Sequence, residues 1–502
     1  MSRFKSIGAV GVAITAIGAG VLFDSYKKSQ EPSPFHLAYQ DMSKINVIPI
    51  KYTLEEQEEA LLKIFYLAGY LDLRTIWRDI NKMSSVKNPE ALYTNIVHAL
   101  KKSGALEKDH DSFSPKILRK SLFKGSEFDK QDAADWMLYL SQHAFARSAN
   151  QERNELSKKP WMEEYKAEYF ESAKILGLTD RVEPTSFEYD EAWIAGASRV
   201  GFLARTYDLF SLIDKDLFSV KGGIYALAGQ RPLWAEIDGI QPTYLKSLED
   251  LISSRGNIDD MPTLANDTSP DRVTNGKLYM HQLADSYGVK LNKDQPFIVY
   301  ASNPPKGLVV GRTYPNYSKG EERKLDETLM SLDVLEKLET IFAGKVHIVD
   351  TIKYSDGKRP DTSSTVRDAA KRLLSSLKES EREGSFMVVL ESNNPYIERQ
   401  ALQAQLEINK LLEEMSLSKV KINVHGIGFS NKQTVPVVHS ELGALLSVKY
   451  NSAKFESKRD TKTLLFQTRD NSHSEDIDAR IPEIVTSPLL GSLDALFDYY
   501  MD

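Results

Sequence analysis

From Pro184 to about Tyr450, short β-prone runs alternate with helical stretches, and this alternation constrains the chain more than any other feature. It is the pattern of a largely parallel sheet with helices on its faces. Six runs stand out: Ala192–Ala195, Gly223–Leu227, Phe297–Tyr300, Lys345–Asp350, Phe386–Leu390 and Lys421–His425. Runs this short and this continuously apolar suit strands covered on both faces. Helices are expected at Arg199–Ile213, Lys277–Tyr287, Glu322–Phe342, Ser364–Leu377 and Ile397–Met415. Gly256–Asn275, polar and proline-containing, reads as a long surface insertion, and Gly426-Ile427-Gly428 as a turn. The expected fold class is α/β: a doubly wound, mostly parallel sheet over residues 180–450, preceded by a helical region and an N-terminal transmembrane helix.

That helical region spans residues 50–177. Thr53-Leu54-Glu55-Glu56 fits a capping box, in which the threonine and the glutamate each satisfy the other's backbone N–H. Leu61, Ile64, Phe65, Ala68 and Leu71 then keep the three-four rhythm of one buried face. Asn88-Pro89-Glu90 starts a second helix, with proline at its first position. Asp132–Ala146 and Trp161–Leu176 supply two more. Residues 451–502 form a C-terminal extension that turns apolar after Pro488 and ends in a helix.

Ahead of these lies the uncharged stretch 7–23, IGAVGVAITAIGAGVLF. As a helix it would extend roughly 25 Å, a short membrane span that Lys27 and Lys28 could complete by snorkelling. Residues 1–28 are therefore expected to anchor the chain in a lipid bilayer as a single pass, with 29–49 as a tether. The free amine tips the N-terminus inside, which in a bacterium would make the soluble part periplasmic. A cleaved signal peptide, giving a secreted factor, is the competing reading.

Composition excludes several functions. With no cysteine in 502 residues, there are no disulfides, thiolate metal sites or cysteine nucleophiles. A net charge of −7, with dispersed Lys and Arg, argues against nucleic acid as a partner. There is no phosphate-binding P-loop, no complete dinucleotide glycine motif and no nucleophile elbow, and the nine histidines are scattered.

What remains is the chemistry of the loops. In a doubly wound sheet, ligands bind outside the carboxyl ends of the strands. Five of the six expected strands run into polar loops, and all five loops would share that pole. They carry Gly196 and Arg199; Gly229, Gln230 and Arg231; Ser302–Gly307; Asp361 and Thr362; and Ser392, Asn393 and Arg399. Arg199 and Arg399 start helices, where a cation opposes the helix dipole and a bound anion could offset it. A small anionic ligand, nucleotide-like or phosphorylated, is the expected partner. Pairing of these arginines with Glu191, Glu236, Asp238 or Glu398 is the alternative. Asp361 is equally a helix cap, and Asn393 equally a turn former. Glu391, Asp361 and Asp238 are the plausible acid/base or metal-holding groups, with none assigned as catalytic.

The order of these motifs resembles the bacterial SanA/ElyC/YdcF-type α/β domain over about residues 185–450. Ile194-Ala195-Gly196 with Arg199 is similar to that family's glycine-bearing first strand and arginine-started helix. Ala228-Gly229-Gln230 is similar to its second glycine loop, and Tyr279–Val289 to its helix before a Gly-Val turn. Asp361–Thr365 stands where the family has Asn-Thr-x-Glu-Asn, and Val388–Ser392 with Arg399 where it has a strand followed by His-x-x-Arg. The Glu, the second Asn and the His are absent here. The resemblance implies the α/β fold, an anchored topology shared by some members and a role in envelope maintenance. A partner protein docking on the helical region, with the α/β domain as a degenerate scaffold, is the reading from a different class.

Overall fold

The protein is described by a computed structural model covering residues 32–145 and 158–231 with short breaks, parts of 233–351, and residues 360–377, 384–430 and 433–470. The stretch 7–23, Gly256–Asn275, the loop Ser302–Gly307 and the segment from Pro488 lie outside the described residues. Only 281–283 of the helix expected at Lys277–Tyr287 fall within them. Two compact units can be separated. One takes the chain through Asp41 together with Leu61–Met137; the other takes Met42–Ala60 and the chain from Leu138 onward. The helical region expected at 50–177 therefore divides between them.

The first unit is helical. Asn88 caps Pro89–Lys102, its side chain accepting from the Ala91 N–H at 3.1 Å, and Leu92, Ile96 and Leu100 are buried on that helix. Phe65 and Phe123 meet Trp136 edge-on, with ring centroids 5.9 and 5.6 Å away. Such contacts add to the large apolar area that three aromatic side chains remove from water.

The second unit holds a six-stranded parallel sheet. In chain order its strands are β1 (Glu191–Ala195), β2 (Ile224–Gly229), β3 (Leu308–Val310), β4 (Val346–Thr351), β5 (Ser385–Asn393) and β6 (Lys421–Phe429). Their spatial order is β6-β5-β1-β2-β4-β3, and every pairing is parallel. Helices α1 (Arg199–Asp214) and α2 (Glu327–Leu338) pack on one face; α3 (Thr362–Ser376) and α4 (Ile397–Glu414) pack on the other. The long α5 (Val435–Asp470) lies against α4. Alternation along the strands sorts the core: Ala192, Ile194, Ala226, Ala228, Ile348 and Val389 join Phe202, Leu203, Leu329 and Met330 on the first face. Trp193, Leu227, Val349, Val388 and Leu390, which are also buried, point to the second.

Three expectations are corrected. The run Phe297–Tyr300 does not enter the main sheet: Val299–Ala301 pairs antiparallel with Lys290–Leu291 and Arg323–Lys324 in a small separate sheet. The true sixth strand is Leu308–Val310, too short to announce itself by periodicity. Gly426-Ile427-Gly428 is not a turn but part of β6, where the missing side chains admit other backbone and helix atoms. A Cβ at Gly426 would lie 2.8 Å from that of Ala401 on α4. Finally, Trp161–Leu176 is two helices, Pro160–Glu164 and Lys166–Ile175, joined at Tyr165.

A candidate anion site at the carboxyl end of the sheet

The order in which strands join the sheet reverses between β1 and β5. The crossover from β1 carries α1 to the first face and on to β2; the crossover from β5 carries α4 to the second face and on to β6. Adjacent strands whose connections leave in opposite directions open a crevice at their carboxyl ends. Arg205 of α1 bridges that crevice. It donates through Nη1 to the carbonyls of Ala195 and Gly196, at 2.8 and 2.7 Å, and through Nε to Asn393 Oδ1 at 2.9 Å. Two expected site residues from different loops, Gly196 and Asn393, are thereby tied together by an arginine that the sequence reading did not single out.

On the first face, Arg231 is fully engaged in ion pairs. Its two terminal nitrogens donate to Asp238 at 3.0 and 2.9 Å, and Nε donates to Glu327 at 3.3 Å. The Asp238 pairing weighed from sequence is the one formed; Glu327, in the first turn of α2, was not foreseen. Glu327 also presses on the first glycine, since a Cβ at Gly196 would lie 2.6 Å from its Oε1. Burial pushes the Glu327 carboxyl up to about 7, against the pull of Arg231, so it can hold or release a proton near neutrality.

On the second face, Arg399 and Thr362 come together. Arg399 Nε donates to the buried Glu441 at 2.6 Å, and Nη1 reaches Thr362 Oγ1 at 3.5 Å. Its carboxylate partner is thus Glu441 of α5 rather than Glu398, which pairs instead with Lys449 at 2.6 Å. Asp361 caps α3, accepting from the Ser364 N–H at 2.8 Å while the Ser364 hydroxyl accepts from the Asp361 N–H. The capping role anticipated for Asp361 is therefore filled. Gly229 closes on the same helix start, where a Cβ would lie 2.7 Å from Pro360. Gln230 donates its N–H to the Thr351 carbonyl at 3.0 Å, and Ser392 bonds to Gln400 within α4. Arg199 is buried at the first position of α1. The residues capping α1 and α4, Ser198 and Tyr396, make no side-chain cap bond. First-turn N–H groups of those helices are thus left for another acceptor.

Beneath the crevice lies a carboxyl pair. Asp208 of α1 and Glu391 of β5 are both buried, and Arg181 donates to Asp208 Oδ1 at 2.8 Å. Among the described residues, no other group donates to the second Asp208 oxygen or to either Glu391 oxygen. Burial, with the Asp208 charge adding to it, holds Glu391 well above the ordinary carboxyl range. A protonated Glu391 becomes a donor, and the pair then shares one proton. Asp208 and Arg205 show their one sequence signal in hindsight: both interrupt the buried, apolar run of α1 at helical spacing.

Among the described residues, no three His, Asp or Glu side chains gather as a metal site. Comparison of the chain with protein-family models, with curated proteins and with solved structures gave no match.

Proposed function

We propose that the α/β unit binds a small anionic ligand, phosphorylated or carboxylate-bearing, between Arg399 and the start of α3. The observation that carries this reading is the meeting of Arg399 with Thr362. They start helices that follow different strands, and Glu441 takes only Nε of the guanidinium. Nη1 reaches the first turn of a fifteen-residue helix, where the hydroxyl of Thr362 and the helix dipole favour negative charge. Glu441 positions the guanidinium; Gly229 lets the backbone of the second loop come close. Arg231, held by Asp238 and Glu327, belongs to the wall of the crevice rather than to the ligand. Arg199, Gly196, Gln230, Ser392 and Asn393 line the same pole.

Titration of the protein with AMP and with inorganic phosphate tests this. Arg399→Lys should weaken the anion by about 1.5–3 kcal/mol, because an ammonium cannot reproduce the two-pronged geometry. Equal affinity in the variant would remove Arg399 from the site.

The ligand-binding unit is, in this reading, held at a membrane by residues 7–23. The support is the uncharged apolar run flanked by Arg3, Lys5, Lys27 and Lys28. No helix among the described residues is long and apolar enough to cross a membrane, and residues 7–23 lie outside them. Deleting residues 1–28 should move the protein from a carbonate-washed membrane pellet to the supernatant. A full-length chain already found in the supernatant would contradict the anchor. The likeness to the SanA/ElyC/YdcF-type domain is consistent with both parts of the proposal and with a role at the cell envelope.

A further inference from the structure

Two chain segments close the outer edge of β6. The Gly426 N–H donates to the Val47 carbonyl at 2.6 Å, and Gly428 and Val182 exchange backbone bonds of 2.9 and 3.0 Å. Between these segments runs a groove of about 320 Å³, at the lower end of the volumes that small ligands occupy. Its walls are aliphatic, including Val47, Ile48, Ile50, Leu54, Ile175 and Leu176. Ile50, at the mouth, leaves 55% of its surface in solvent. A β-branched aliphatic side chain so exposed on the rim of an apolar groove gives a ligand contact surface at a smaller ordering cost than a long flexible side chain.

The charges on the lining decide what kind of ligand fits. Lys449 is matched by Glu398 at 2.6 Å, Arg181 by both Glu183 and Asp208 at 2.8 Å, and Lys174 by Asp180 at 3.7 Å. Lys51 lines the groove beside Ile50 and has no carboxylate partner among the described residues. Among the described residues Lys51 is thus the lining cation left without a carboxylate, and it stands next to the aliphatic wall. We infer that this groove is a second ligand site, and that it takes an aliphatic chain ending in a single carboxylate. The chain would lie along the Val47–Ile50 and Ile175–Leu176 walls, with its carboxylate at Lys51. The site is separate from the proposed anion site, since Glu398 faces the groove while its neighbour Arg399 turns to Glu441 and Thr362.

The test uses the purified full chain and decanoate bearing a diazirine, activated by light, with cross-links mapped by mass spectrometry. Cross-links should fall in residues 43–57 and 174–183 and be competed by plain decanoate. Lys51→Glu should cut the yield about fivefold, the upper range for an exposed ion pair. Ile50→Asp, at a position 55% exposed, should do the same. Arg399→Lys should leave it unchanged, which separates this inference from the anion site. Cross-links outside these two segments would overturn the inference. So would equal labelling by the corresponding diazirine-bearing amine, or an unaltered yield in Lys51→Glu.

Discussion

Replacing Arg181 by methionine is expected to destabilise the α/β unit by about 3–5 kcal/mol, the range for stripping one partner from a buried ion pair. Asp208 is almost fully buried, and among the described residues its one cationic donor is Arg181, through Nη2 at 2.8 Å. Without the guanidinium, Asp208 and Glu391 face each other in the core with no cation bonded to either. Methionine keeps the length and apolar stem of the side chain, so the loss reports charge rather than packing. Denaturant unfolding of variant and parent gives the difference, and a change below about 1 kcal/mol would mean that solvent reaches Asp208. Adding Asp208→Asn should recover most of the loss, because the two sites are coupled.

The same pair makes stability depend on pH in a direction opposite to that of ordinary carboxylates. Burial first, and then the charge of Asp208, raises Glu391 above its unfolded value. Arg181 and Arg205 oppose that shift without cancelling it. A group whose folded pKa is raised stabilises fully below the unfolded pKa, near 4.5, and loses that stabilisation as pH climbs to the folded pKa. Across that window the slope reaches about 1.4 kcal/mol per pH unit for one proton. Glu391→Gln keeps a donor towards Asp208 but cannot ionise. The variant should therefore gain stability over the parent as pH rises from the unfolded value towards the raised folded one. Glu191 and Glu327 are shifted upward as well and remain in both proteins, so the difference reports the Asp208–Glu391 pair. Parallel curves for the two proteins would show that Glu391 is ionised in the fold.

Much of the architecture could be read before any coordinates. Strands β1, β2, β4, β5 and β6 declare themselves because each is a compact apolar run between polar loops. The capping box at Thr53 and the helix cap at Asp361 both form, with Thr53 N–H donating to Glu56 at 2.7 Å. What stayed hidden was set by tertiary partners. Leu308–Val310 has three residues, too few for a pattern, and is a strand only because β4 lies beside it. The glycines of β6 looked like a turn, since composition does not reveal that α4 and the segment at Val182 press against them. The site shows the same division. Loop position brought Thr362, Arg399, Gly196 and Asn393 to one pole, as parallel topology demands. The partners that decide each arginine's role, Glu441 for Arg399 and Glu327 for Arg231, come from elements 42 and 96 residues away. Local pattern has no means of pairing them.

A tungstate-soaked crystal tests whether an anion sits between Arg399 and the start of α3. Tungstate carries the shape and charge of phosphate and scatters anomalously. A peak is expected within hydrogen-bonding reach of the Arg399 terminal nitrogens and Thr362 Oγ1, absent in Arg399→Lys. Tungstate bound only elsewhere, with Arg399 and Thr362 undisturbed, would contradict it.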